Sequence, residues 1–71
     1  MTYELWDRRQ GNQLGEFASR DEAYAAARSI VKAHLDLAAD LVMGGEDETG
    51  ALLFRAAGPE LVDLAREREY A

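Results

Sequence analysis

A chain of 71 residues with no cysteine and a single histidine has neither a disulfide nor an ordinary zinc site to hold it together. A chain this short buries only about 60% of the surface its unfolded form exposes, so its core is thin. What remains to stabilise so small a domain is a partner subunit. A single domain over residues 1–71 is expected, with self-association as its natural complement.

Residues 2–9 (TYELWDRR) are rich in aromatic and extended-favouring types, Gln10-Gly11-Asn12-Gln13 supplies turn chemistry, and residues 14–18 (LGEFA) resume the strand pattern. A hairpin is predicted. With Gly11-Asn12 as a two-residue loop, Trp6 falls opposite Phe17 and Arg9 opposite Leu14, which makes an aromatic cross-strand pair. Ser19-Arg20-Asp21-Glu22 then reads as a capping box, with two acids at the positive end of a helix. That helix carries Ala23, Ala27, Ile30, Val31, His34 and Leu35 at three-four spacing and ends between residues 35 and 38.

Residues 40–45 (DLVMGG) predict a third strand, residues 46–50 (EDETG) an acidic turn, and residues 51–57 (ALLFRAA) a fourth strand. Gly58-Pro59-Glu60 starts a second helix with proline at its first position, and Leu61, Leu64 and Ala65 form its buried side up to about Glu69. The fold class is therefore α+β: two β-hairpin-helix units in the order ββαββα, an antiparallel sheet with two helices. At an offset of 38 residues Glu22 matches Glu60, Ala27-Arg28 matches Ala65-Arg66 and Leu14 matches Leu52, the trace of a pseudo-repeat.

Strict alternation along these strands puts Trp6 and Phe17 on one face and Tyr3, Leu5, Leu14 and Ala18 on the other. In the second hairpin Leu52 and Phe54 oppose Leu53, while Leu41 and Met43 oppose Val42. Apolar groups on both faces of a sheet ask for a second cover, which two helices on one side do not provide. A homodimer or larger homo-oligomer, packed through the open face or a strand edge, is one answer; helices straddling the sheet are the other. Tyr3, Trp6, Phe17 and Phe54 are the candidate interface residues, since aromatic side chains dominate binding hot spots.

The charge pattern narrows the partners. Net charge is −6, and residues 37–71 hold eight acids against three arginines, whereas residues 1–36 hold six acids against five basic residues. An acidic surface repels phosphate, and no cluster of Lys/Arg interleaved with aromatics is present, so direct nucleic-acid binding is disfavoured. No apolar run approaches the eighteen or so residues of a membrane span. The N-terminal residues Met1-Thr2-Tyr3-Glu4-Leu5-Trp6 lack the basic and apolar regions of a signal peptide, which makes the cytoplasm the expected location.

Searching for chemistry returns little. His34 has no cysteine, second histidine or Ser/Asp constellation at a spacing that builds a triad or zinc site, and on a mainly apolar stripe it reads as a half-buried structural residue. Glu46-Asp47-Glu48 lacks the alternating ligand spacing of a calcium loop and reads as a solvated hairpin tip. Gly44-Gly45 and Gly50 match no phosphate-cradling motif, and Arg66-Glu67-Arg68-Glu69 reads as a solvated helix face. No catalytic residue, metal ligand or cofactor site is predicted, and an enzyme is not expected.

Tyr3-Glu4-Leu5-Trp6-Asp7, Gly11-Asn12, Gly15-Glu16-Phe17, Glu22-Ala23 and Arg28 together resemble the pattern of a group of short, uncharacterised bacterial proteins. The acidic Glu46-Asp47-Glu48 and the later Gly58-Pro59-Glu60-Leu61 are similar to segments of the same group. The resemblance implies a bacterial protein and brings no activity or binding residue with it. On sequence grounds the leading function is thus a non-enzymatic protein-interaction module that self-associates through its sheet around Trp6 and Phe17. An alternative is an acidic regulatory protein, antitoxin-like or a nucleic-acid mimic, that covers a basic partner with the carboxylates of residues 40–63. A third is a pocket formed only between subunits, where His34, Tyr70 or carboxylates from two chains converge.

Overall fold

The computed structural model describes residues 1–69; Tyr70 and its place in an inter-subunit pocket lie outside the described residues. The chain runs β1 (Thr2–Asp7), β2 (Asn12–Phe17), α1 (Arg20–Ala33), a 3₁₀ helix (Leu35–Asp40), β3 (Leu41–Glu46), β4 (Leu52–Ala57) and α2 (Gly58–Glu69). It is the α+β, ββαββα order that the sequence predicts. The four strands form one antiparallel sheet in the order β2-β1-β3-β4. Both helices lie on the same side of it and pack against each other, so the other face has no cover from the described residues.

The core is the layer between sheet and helices. Leu5, Leu41, Met43 and Leu61 are fully buried, joined by Tyr3, Ala23, Tyr24, Ala27, Val31, Ala56 and Ala65. Small residues on the helices let them sit close to the sheet and leave volume for Tyr3 and Tyr24. Gly45 belongs to the same packing: a Cβ there would stand 2.8 Å from Cε1 of the Tyr3 ring, which lies across it. Leu5 on β1 pairs directly with Met43 on β3, at the offset of 38 that relates the two halves.

Helix α1 starts as its sequence requires, with the Ser19 Oγ accepting the Glu22 N–H at 3.2 Å and Asp21 and Glu22 in the first turn. It stops at Ala33, because the His34 backbone leaves helical geometry and the chain tightens into the 3₁₀ helix. His34 is consequently exposed instead of half-buried, and Leu35, which continues the apolar spacing in sequence, is 75% exposed. Gly58, at φ +57°, turns the chain from β4 into α2, and Pro59 follows it.

The register of the first hairpin departs from the sequence expectation. Trp6 pairs with Gln13 and Phe17 with Tyr3, because the connection is the four residues 8–11 and Leu14 is an extra, bulged residue between Gly15 and Gln13. A second bulge leaves Leu53 unpaired between Phe54 and Leu52. Each bulge flips the side-chain alternation beyond it. Phe17 therefore shares a face with Tyr3 and not with Trp6, and Leu52 and Phe54 lie on opposite faces instead of one.

Candidate functional site

The helix-free sheet face has no cover among the described residues. Register fixes what it displays. One row across the four strands is Gln13, Trp6, Val42 and Ala57; the next is Glu16, Glu4, Gly44 and Arg55; the last brings together Thr2, Glu46 and Leu52. Leu52 lies over Gly44, where its Cδ1 is 3.3 Å from the position of an added Cβ. The face thus has an apolar row at one end, Leu52 at the other and charge between them.

Trp6 is 36% exposed and Leu52 57% exposed, against zero for Leu5 and Met43 on the covered face. The Trp6 indole N–H donates to Glu4 Oε2 at 3.3 Å, which holds the ring down along its own strand. Val42 is half-buried beside it. Carboxylates at Glu4 and Glu16 stand on the β1 and β2 side, and the single basic group of the face, Arg55, stands on β4.

Of the four aromatic residues singled out in the sequence, only Trp6 is on this face. Tyr3 is 7% exposed and belongs to the core; Phe17 and Phe54 are partly buried and pack against that core. Their rings also serve the fold: Tyr3 and Phe54 meet edge to face at 6.4 Å, and the Arg20 guanidinium stands 4.2 Å from the Phe54 centroid. Val42 and Ala57 share the row of Trp6 where Phe17 and Phe54 were expected, and Leu52 stands at the other end of the face. The signal that could have found them is the period-two alternation of β3, in which Val42 opposes Leu41 and Met43.

The two sheet edges are poor places to add a strand. Leu14 and Leu53 bulge out of β2 and β4, the two outer strands, and a bulged edge is twisted and presents a broken ladder. The hairpin turns close on themselves through aspartates. Asp7 Oδ1 accepts the Arg9 N–H at 3.0 Å, and Asp47 Oδ1 accepts the Thr49 N–H at 2.9 Å, the Thr49 hydroxyl at 2.7 Å and the Ala51 N–H at 3.0 Å. These bonds hold the Asp47 carboxyl below the usual aspartate range, the Thr49 hydroxyl contributing most. Asp40 Oδ2 is buried without a well-aligned hydrogen bond and is compensated by the charge of Arg9, 2.7 Å away.

Among the described residues no group of three or more His, Cys, Asp or Glu is placed to hold a metal ion, and no helix is long and apolar enough to cross a membrane. Compared with protein-family models, with curated proteins and with solved structures, the chain shows no significant match. The functional reading therefore rests on the geometry of this face.

Proposed function

We propose that the chain is a non-enzymatic protein-interaction module of the cytoplasm that self-associates face to face through the helix-free side of its sheet. The observation that carries this reading is the row Trp6, Val42 and Ala57, an apolar stripe across three strands on a face with no cover from the described residues. The face is also self-complementary. A twofold axis parallel to the strands lays β1 of one copy over β3 of the other, so Trp6 meets Val42 twice, and lays β4 over β2, so Arg55 meets Glu16.

Size sets the expected strength. Four six-residue strands cover about 20 by 19 Å, or roughly 400 Å² in projection, on the small side of the ~800 Å² per partner of a stable interface. A weak, concentration-dependent dimer follows, held by a few apolar contacts around the tryptophan. Light scattering coupled to size exclusion over a dilution series tests it. At about 0.5 M salt, where exposed charges are screened, the expected result is a mass that rises toward two chains in the micromolar range and falls back to one chain in Trp6→Ser; a single-chain mass for the unaltered protein at every concentration in that salt overturns the reading.

The acidic-regulator alternative draws on the carboxylates of residues 40–63, and two of these are engaged within the molecule: Asp40 by Arg9 and Asp47 by its own turn. A pocket shared between subunits would start from His34, which caps α1 with its backbone N–H on the Ile30 carbonyl and leaves its side chain exposed. The continuous row around Trp6 favours the self-associating face over both.

A further inference from the structure

The opposite side of the molecule carries a second surface, on the outside of the helix layer. A groove of about 120 Å³ lies between α1 and α2, lined by the apolar Val31, Leu35 and Val62 and by the basic Arg28, Lys32 and Arg66. Since a cavity of about 150 Å³ admits benzene, this volume has room for one aliphatic side chain. Three of the eight basic residues of a chain with net charge −6 gather here. Arg28 is committed to the fold, its Nη1 donating to the Ala65 carbonyl across the helix pair at 2.7 Å. Lys32 and Arg66 are exposed, and no carboxylate of residues 1–68 stands within ion-pair distance of either.

We infer that this groove receives the β3–β4 hairpin end of a second copy of the chain. That end is the only place in the sequence where three acids stand in a row, Glu46-Asp47-Glu48, and two of the most exposed large apolar residues, Leu52 at 57% and Leu53 at 63%, follow directly after the turn. Leu53, bulged out of its strand, supplies the aliphatic side chain that the groove lacks, and Glu48 and Glu46 supply the charges that Lys32 and Arg66 lack. The chain's own hairpin end does not line the groove, whose walls come from α1, α2 and Leu35. Each copy offers a hairpin end and a groove, so the contact closes reciprocally in a pair of copies or continues into chains and rings. It does not use Trp6 or Val42, and being built mainly on charge it weakens more steeply as salt rises than the Trp6 face, where the apolar row is accompanied by Arg55 and Glu16.

Sedimentation velocity on the Trp6→Ser protein isolates the contact. At low salt this protein is expected to form species larger than one chain, and at about 0.5 M salt, where screening reaches only a few ångströms, to return to single chains. In that background Lys32→Glu with Arg66→Glu, and separately Glu46→Lys with Glu48→Lys, each leave single chains, and mixing the two restores association because each charge-reversed surface finds a reversed mate. Lys32→Gln with Arg66→Gln gives the same loss by at least tenfold in association constant without introducing repulsion, and circular dichroism verifies that each variant is folded. Association untouched by the groove variants, a mixture that stays as single chains, or a Trp6→Ser protein that is single-chain at low salt overturns the proposal. Failure of the sheet-face reading looks different: the unaltered protein and Trp6→Ser then behave alike at high salt.

Discussion

The two faces of this sheet are built from neighbouring residues of the same strands and do opposite things. Leu5 and Met43, on the helix side, are fully buried; Trp6 and Val42, one position away on the same strands, face outward. On the covered side, volume is matched across the layer, down to a glycine at position 45 that makes room for the Tyr3 ring. On the open side none of the described residues covers the apolar row. The lesson is that in so small a domain the hydrophobic pattern specifies one core completely and leaves half of a second one.

The comparison can be broken most directly by deleting one side chain from each face. Leu5→Ala opens a cavity under two helices and is expected to cost about 2–5 kcal/mol, a large part of the stability of a small domain. Urea unfolding followed by circular dichroism measures it; a loss below about 1 kcal/mol would mean the covered face is no better packed than the open one.

Trp6→Ser on the next residue removes a larger side chain and is expected to leave the unfolding midpoint of a dilute sample nearly unchanged, as surface substitutions do. Its effect is on mass: the association constant of the face-to-face dimer falls tenfold or more, which is about 1.4 kcal/mol or more. Equal destabilisation of a dilute, single-chain sample by Leu5→Ala and Trp6→Ser would erase the distinction between the faces.

Helix α1 is the cover that makes one face a core, and its start depends on a single hydroxyl. Ser19→Ala removes the acceptor for the Glu22 N–H and is expected to cost about 1 kcal/mol. Hydrogen exchange localises the change: amides of the first turn of α1 lose protection first, with those of β1 and β3 changing least. Uniform loss across the sheet would mean that the cap supports the whole covered layer.

Much of this was legible in the sequence, and what was not has one physical origin. Turn residues, the capping serine and the period of the apolar positions announce the elements and their order, because those signals act over a few residues. The bulges at Leu14 and Leu53 leave no such mark: each is an ordinary apolar residue in an apolar stretch, and only pairing with a distant strand shows it to be extra. One unseen residue in each hairpin was enough to place Phe17 beside Trp6 and Phe54 beside Leu52, and so to list these two rings as interface, while Tyr3 joined them only as an aromatic side chain. The end of α1 was hidden in the same way, since His34 and Leu35 keep the helical spacing while the backbone has already turned into the 3₁₀ helix.

The smallest expected effect concerns the hairpin end, which belongs to neither packed layer. Asp47 holds Thr49 and Ala51 through one carboxylate oxygen, and its pKa is lowered mainly by the Thr49 hydroxyl. A depressed folded-state pKa means that the turn's contribution is present above the unfolded aspartate value of about 3.9 and is lost as pH falls through the lower folded value. Amide shifts of Thr49 and Ala51 are therefore expected to move with an inflection below about pH 3.9, and Asp47→Asn removes that inflection. Because Asp47 sits in the turn and touches neither residue of the core, the resonances of Leu5 and Met43 should stay still through the same range. If they move with it, the hairpin end is coupled to the covered face, and the separation between a finished core and an unfinished surface does not extend to this end of the sheet.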